Sequence, residues 1–525
     1  MCPVNKGQLP SYNAKLCHPL RAEICFELDL GLMIRLRSKD HQVLKCGLRS
    51  KDHHSGTPVR MGTETETKST LGERGQKEFI VGAVGCSVST LPTVWNCLGE
   101  GSKRYKQIPT HTDTSDSSWP MAGASAADHP KLMLISFDGF GWKYLSKFPK
   151  NAVPHFEKFM NAGVQVKWIE NVFPTVTRTN HMSMVSGLYA EGHGIVHNEF
   201  YDPSLNECFP DAGKLTPEDS KWVDVGAEPI WVTNSKAGDG RRSGCILWPC
   251  ADAKIKGMLP DELIRGEHTV SQRKFNEQQR IDKALEWLTD PKEAVNFVAV
   301  YFPEPDEVGH KCGPDSQEVQ QAILDLDKAL GYLMDQVEKN GLSGKLNIIV
   351  TADHGQLRTY PHPTAEINID RLVDRDWYRI EPNLRNGVAM ANIWPKEGFQ
   401  DKLLERLRHH NLHVCVKNSS QDLRDLHYSS SCRIGPVVVY AEEGWLIVDD
   451  SSDRRSVGEH GWDPRYSINM YPFFIATGPA FKKGVRDAAP FRMVDIYPMM
   501  CHILGLEPAP NNGTLENVRH ILATE

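Results

Sequence analysis

Seven side chains between positions 138 and 460 are of the types that bind metal or attack phosphorus: Asp138, Thr177, Asp306, His310, Asp353, His354 and His460. Asp138 closes the apolar run Leu132 to Phe137 and precedes Gly139. Asp353-His354-Gly355 closes the run Leu346 to Ala352. Asp306 and His310 form an Asp-x-x-x-His pair just after the run Val295 to Phe302, and His460-Gly461 stands in a polar loop. Imidazole nitrogen and carboxylate oxygen together suit a borderline cation such as Zn²⁺. Two such ions can brace both the attacking and the leaving oxygen of a phosphoryl displacement. Thr177 is the one hydroxyl of the set, and a threonine hydroxyl needs such help to act as a nucleophile near neutral pH.

These residues need strands that end together. The short apolar runs 132–137, 295–302, 346–352 and 473–476 read as buried strands. Between them lie helical patterns: a helix near Val153 to Asn161 that opens on Pro154, Lys274 to Leu288, Ser316 to Asn340, and Val494 to Leu504. Thr177 opens a short helical stretch over Asn180 to Gly187, where backbone N–H groups would face a bound phosphate. Further strands are expected over 388–394, 435–440 and 445–448, with a helix over Phe399 to His409. Alternating strands and helices predict an α/β fold with a mainly parallel sheet covered by helices on both faces. Sites in such sheets form outside the carboxyl ends of the strands, where the acidic and imidazole residues fall.

The chain has 525 residues, 40% hydrophobic and 24% charged, with a formal net charge of −7. That charge argues against a nucleic-acid polymer as partner. Residues 1–128 are rich in Ser, Thr, Gly and Lys and lack sustained periodicity, so they read as an extension, disordered or absent from the mature enzyme. Residues 129–525 form the main domain. None of the 13 cysteines makes a CxxC pair, and Cys415 and Cys432 are the expected disulfide. Two glycosylation sequons begin at Asn418 and Asn512. With the cysteines they indicate an oxidising, extracellular or cell-surface setting. No secretory signal opens the chain, and the uncharged stretch Phe79 to Leu98 is too diluted by Gly, Pro, Ser and Thr to read as a membrane anchor. The oligomeric state is not encoded in any motif.

Around Thr177 the sequence reads Phe173-Pro174-Thr175-Val176-Thr177-Arg178-Thr179-Asn180-His181. Together with Ser136-Phe137-Asp138-Gly139, Gly192-His193-Gly194 through Asn198, Glu304-Pro305-Asp306 through His310, Asp353-His354-Gly355, Gly458-Glu459-His460-Gly461 and Pro510 through Thr514, this resembles the ectonucleotide pyrophosphatase/phosphodiesterase family of the alkaline phosphatase superfamily, in its compact single-domain form. The resemblance runs from about Lys131 to Leu522. It implies two Zn²⁺ ions, one held by Asp306, His310 and His460, the other by Asp138, Asp353, His354 and the Thr177 oxygen. It implies in-line attack by Thr177 through a phospho-threonine intermediate, with Asn198 donating to a phosphate oxygen. Its substrates would be small extracellular nucleotides: dinucleoside polyphosphates, NAD-like dinucleotides and nucleoside triphosphates. A choline-phosphate ester is the alternative, and a catalytically silent surface-binding protein on the same fold is the rival of another class.

Five positions depart from common family residues or carry substrate expectations. Arg178 stands where nucleotide-cleaving relatives often carry an aromatic residue, and either draws a second phosphate or stays solvated. Trp248 and Asp252 are family-like candidates for substrate contact. Thr179 and Gln356 also differ from the common residues, without being ligands. His181 and His193 read as hydrogen-bonding residues around the site rather than ligands.

Overall fold

The structure is a computed structural model. It describes residues 129–524, apart from 211–214, 267–274, 362, 382–383, 385–386, 411–412 and 454–455, together with the backbone of three strands nearer the N-terminus. Those three, Ala22–Cys25, Met33–Arg37 and Val43–Gly47, form an antiparallel sheet. They lie in a separate unit from Ser115–Glu525. The expectation for residues 1–128 otherwise lies outside the described residues.

The main unit is built on an eight-stranded sheet. At its centre, β1 (Lys131–Phe137) runs parallel to β2 (Phe297–Phe302) on one side and to β3 (Leu346–Thr351) on the other. Beyond β2 the strands Ser243–Ile246 and Glu262–Ile264 continue in parallel. Beyond β3 comes β4 (Phe474–Thr477), antiparallel to both its neighbours, and then Val164–Val166 and Val485–Ala488. The central strands are buried on both faces, which is why their sequences are continuous apolar runs rather than alternating ones.

Helices cover the sheet. Pro154–Ala162, Glu277–Thr289 and Gln317–Lys339 pack against one another, and Ile496–Leu504 packs on β1 with Thr177–Ser186 and Ile230–Lys236. Local chemistry sets several of their starts. Asn276 accepts from the Gln279 N–H while Gln279 reaches back to the Asn276 N–H, so the second helix begins three residues later than the apolar spacing suggests. Ser316 accepts from the Val319 N–H and starts the long helix.

A second, four-stranded antiparallel sheet carries Tyr378–Glu381, Met390–Pro395, Val437–Ala441 and Val414–Asn418 in that order. Its own apolar cluster includes Leu403, Leu404 and Leu407 of the helix Gln400–His410. The strand Leu446–Val448 leaves this region and pairs instead with Glu366–Asn368. Cys415 sits on the edge strand opposite Tyr440, and both it and Cys432 are exposed free thiols, so the expected disulfide is absent. Among the described residues no helix is long and apolar enough to cross a membrane.

Candidate active site

The carboxyl ends of β1, β2 and β3 lie side by side, and each delivers ligands as it stops. Asp138 follows β1, and its N–H still donates to Phe302 O at the end of β2. Gly139 then turns with φ +68°, and a Cβ there would lie 2.8 Å from Asp306 Cβ, so only glycine fits this approach. Its N–H donates to Asp353 Oδ1 at 3.1 Å, and the His354 N–H donates to the same oxygen at 2.9 Å. Asp306 opens the short helix α2 (Asp306–Cys312), which brings His310 one turn along to face it, 3.0 Å from Asp306 Oδ2.

Thr177 is the first residue of the helix α1 (Thr177–Ser186), one position past its extended N-cap Val176. Its hydroxyl lies 3.3 Å from His354 Nε2. The preceding loop is held by Asn180, whose amide donates to Pro174 O and Val176 O and accepts from the Val172 N–H. His181 pins the first turn to β1: Nδ1 faces Thr177 O at 2.7 Å and Nε2 faces Ser136 Oγ at 2.9 Å. A carbonyl can only accept, so Nδ1 carries the proton and the ring is neutral. Burial, which pulls its pKa down to about 4, agrees. His193 is likewise buried, with Nε2 against Ser183 Oγ and Nδ1 accepting from the Ile195 N–H.

The other three imidazoles share one orientation. His310 Nδ1 faces Gly458 O at 2.7 Å, His354 Nδ1 faces Gly355 O at 3.0 Å, and His460 Nδ1 faces Thr175 O at 3.0 Å. Each therefore donates from Nδ1 and turns Nε2 inward, the arrangement of a metal-binding histidine. His354 Nε2 lies 3.1 Å from Asp353 Oδ2 and 3.4 Å from Asp138 Oδ1. Both of those oxygens are buried without a hydrogen-bond partner. Asp306, His354 and His460 form one cluster with ligand atoms within 4.8 Å, and Asp138, Asp353 and His354 form another. Orphaned carboxylate oxygens facing inward-turned imidazoles fit a pair of divalent cations.

The electrostatics agree. Burial, then the neighbouring charges of Asp353 and Asp306, raises Asp138 well above the carboxylate range. Burial is also the main cause that pushes Asp353 up to about 8. Burial acts on Asp306 in the same sense, but the charge of His310 outweighs it and holds Asp306 low. The cluster thus crowds acidic groups that resist ionising together without an added positive charge.

The site opens into a cavity of about 700 Å³ lined by Asp138, Thr177, Arg178, Asn198, Tyr301, Asp306, His310 and His460. Asn198 Oδ1 accepts from the Arg178 N–H at 2.8 Å, which leaves the Asn198 amide N–H groups as its remaining donors.

The sequence of residues 132–463 matches the model of the type I phosphodiesterase/nucleotide pyrophosphatase family. This chain belongs to that family. It is 39% identical over 395 residues to ectonucleotide pyrophosphatase/phosphodiesterase family member 5 of Homo sapiens, covering 75% of this chain and 78% of that protein. It is 38% identical over 397 residues to a bis(5'-adenosyl)-triphosphatase of Xenopus laevis, covering 75% and 82%. Murine family member 5 superimposes with a TM-score of 0.68 at 36% identity, covering 75% of this chain and 100% of that one, and is also solved as an inactive threonine-to-alanine variant in complex with AMP. The fold is thus that of the phosphodiesterase family, a large mainly parallel sheet flanked by helices.

Three residues expected to meet substrate differ in where the structure places them. Arg178 lines the cavity but is not solvated: it is 6% exposed, donates from Nη1 to Asn198 O and Pro210 O, and lies over the Phe209 ring at 4.8 Å. Trp248 is 1% exposed and packs edge-on against His181 at 5.0 Å, behind α1 rather than in the cavity. Asp252 is also buried, pushed up to about 6 by desolvation, and does not line the cavity. Sequence reasoning passed over Tyr301, whose hydroxyl donates to Asp138 Oδ2 at 2.6 Å, and Glu459, 3.3 Å from His310 Nδ1. It also passed over Thr175, whose hydroxyl donates to Trp462 O and accepts from the Gly461 N–H. Only adjacency to predicted ligands could have marked Glu459 and Thr175.

Proposed function

We propose that this chain is a two-zinc phosphodiesterase that hydrolyses phosphodiester or pyrophosphate bonds of small extracellular nucleotides, with Thr177 as nucleophile. The observation that carries the reading is the Thr177 hydroxyl, at a helix start, beside two inward-facing Asp/His clusters. One zinc would be held by Asp306, His310 and His460, the other by Asp138, Asp353, His354 and Thr177 Oγ1. When bound, the ions would supply Lewis-acid stabilisation of charge on the attacking and leaving oxygens.

The chain's own groups do the rest. Thr177 Oγ1 attacks phosphorus in line, the ester or anhydride oxygen opposite departs, and water then releases the phospho-threonine. The Asn198 amide donates to a non-bridging oxygen, its orientation set by the Arg178 N–H. The start of α1 adds its N-terminal dipole. Residues 129–525 form the catalytic domain in this reading. Dinucleoside polyphosphates lead the substrate list, in keeping with the triphosphatase relative.

A phosphocholine ester is the second reading. Glu199, Glu277, Glu304 and Glu307 line the same cavity with Phe275, a setting that attracts a quaternary ammonium group.

The test is hydrolysis of p-nitrophenyl-TMP, diadenosine triphosphate and a phosphocholine ester by the full chain, before and after chelation and zinc restoration. Zinc-restorable cleavage of the nucleotides that Thr177→Ala abolishes is the expected result. Activity that persists in Thr177→Ala would defeat the mechanism, and cleavage of the choline ester alone would favour the second reading.

A further inference from the structure

The strand end that supplies Asp353 and His354 continues into Gln356, a residue 5% exposed. Gln356 Nε2 lies 2.8 Å from Asp306 Oδ1 and 3.2 Å from Asp306 O. Both of those atoms are acceptors, so the amide nitrogen and not its oxygen must face them. The amide oxygen has no hydrogen-bond partner. It rests instead against Gly309 and Gly458, where a Cβ would stand 1.8 Å and 2.9 Å from it. The helix that carries His310 and the short strand before His460 therefore both have glycine where this amide needs room.

A buried, half-satisfied amide is an expensive way to fill space that an apolar side chain could occupy. Its compensation is geometric. The carboxylate of Asp306 has one oxygen, Oδ2, 3.0 Å from His310 Nε2, while the Gln356 amide takes a lone pair of the other. Donation at Oδ1, with a second bond to the backbone oxygen of the same residue, fixes the rotation of the carboxylate about its stem. The same side chain links the strand end bearing Asp353 and His354 to the helix bearing Asp306 and His310.

We propose that Gln356 is a positioning residue for Asp306: it holds the carboxylate in the orientation that completes the cation site of Asp306, His310 and His460. This rests on the two-metal reading above. Partners of this kind are worth about 10–100-fold in metal affinity where they have been removed.

The experiment is chelator-competed titration of the metal-free full chain with Zn²⁺ alone, comparing wild type, Gln356→Met and Gln356→Glu. Methionine keeps the length and loses the donor. Glutamate keeps the shape and turns the donor into an acceptor, so it decides the matter if the methionine variant does not fold. The expected result is one site unchanged and one weakened about 10–100-fold in each folded variant, with a matching change in the visible spectrum of the Co²⁺-loaded form. A role in packing alone would lower Tm and leave both affinities as they were, and that outcome overturns the proposal. A wild-type chain that takes up no zinc overturns the two-metal reading itself.

Discussion

Arg178 clasps Asn198 at both ends: its backbone N–H donates to Asn198 Oδ1 at 2.8 Å, and its Nη1 donates to Asn198 O at 2.6 Å. The residue after the proposed nucleophile thus orients the donor expected to meet the substrate's phosphate. Replacing Asn198 with Ala should lower kcat by about 10²–10³, the usual cost of one oxyanion donor. Arg178→Met keeps the backbone bond and removes the side-chain one, so a smaller fall in kcat with little change in KM is expected. Steady-state kinetics on p-nitrophenyl-TMP read both, and an Asn198→Ala enzyme as fast as wild type would remove Asn198 from the mechanism.

Metal uptake should release protons. Asp353 rises from 3.8 to about 8 through burial, and Asp138 is raised in the same direction. Between those two pH values the unfolded chain is ionised while the folded, metal-free protein keeps its proton, so metal-free stability falls as pH rises through that window. A cation favours the carboxylates and displaces the proton. Calorimetric titration at pH 7 in buffers of different ionisation enthalpy should give an apparent heat that varies with the buffer. A buffer-independent heat would contradict the charge state argued for the two aspartates.

Thr175→Val should weaken both fold and site. The valine has the same shape but leaves Trp462 O without its donor and the Gly461 N–H without its acceptor. Losing a buried partner costs about 1–3 kcal/mol. Because Thr175 O also receives the His460 Nδ1–H, the loop's shift should carry into metal affinity. Urea unfolding and zinc titration measure the two effects, and a variant equal to wild type in both would show the loop to be held by other contacts.

Arg433 is a structural counterpart away from the chemistry. It is 3% exposed, pairs with Asp202 at 2.7 Å, and donates to the backbone oxygens of Gly194, Trp222 and Lys221. Arg433→Met strands the Asp202 carboxylate and should cost about 3–5 kcal/mol. The unfolding midpoint in urea should drop accordingly. An unchanged midpoint would mean that water or a neighbouring side chain replaces the guanidinium.

The strand ends were readable because an acid directly after a buried apolar run has few structural uses, and both Asp138 and Asp353 stand in that position. The helical stretch opened by Thr177 was expected, while the short helix that starts at Asp306 was not. What the chain hides is pairing. Nothing in Phe474 to Thr477 tells that this strand enters the sheet antiparallel, since Phe474, Ile475 and Ala476 are apolar like the residues of its neighbours. Trp248 was misplaced because a tryptophan beside Pro249 has one appearance whether its ring meets a ligand or, as here, the edge of His181. Arg178 was misjudged for a related reason: its burial depends on Phe209 and Pro210, which only the fold brings within reach.

Strand β4 enters the sheet between β3 and Val164–Val166, although it is made more than a hundred residues after the later of them. Until β4 is made, β3 and Val164–Val166 therefore lack the strand that later joins them, and open strand edges are of the kind that recruit other chains. His460 emerges just ahead of that strand. Catalysis cannot accumulate gradually as the polypeptide lengthens; it arrives at once, when the sheet closes. A chain cut short before Thr477 lacks the strand that joins the two sides of this sheet.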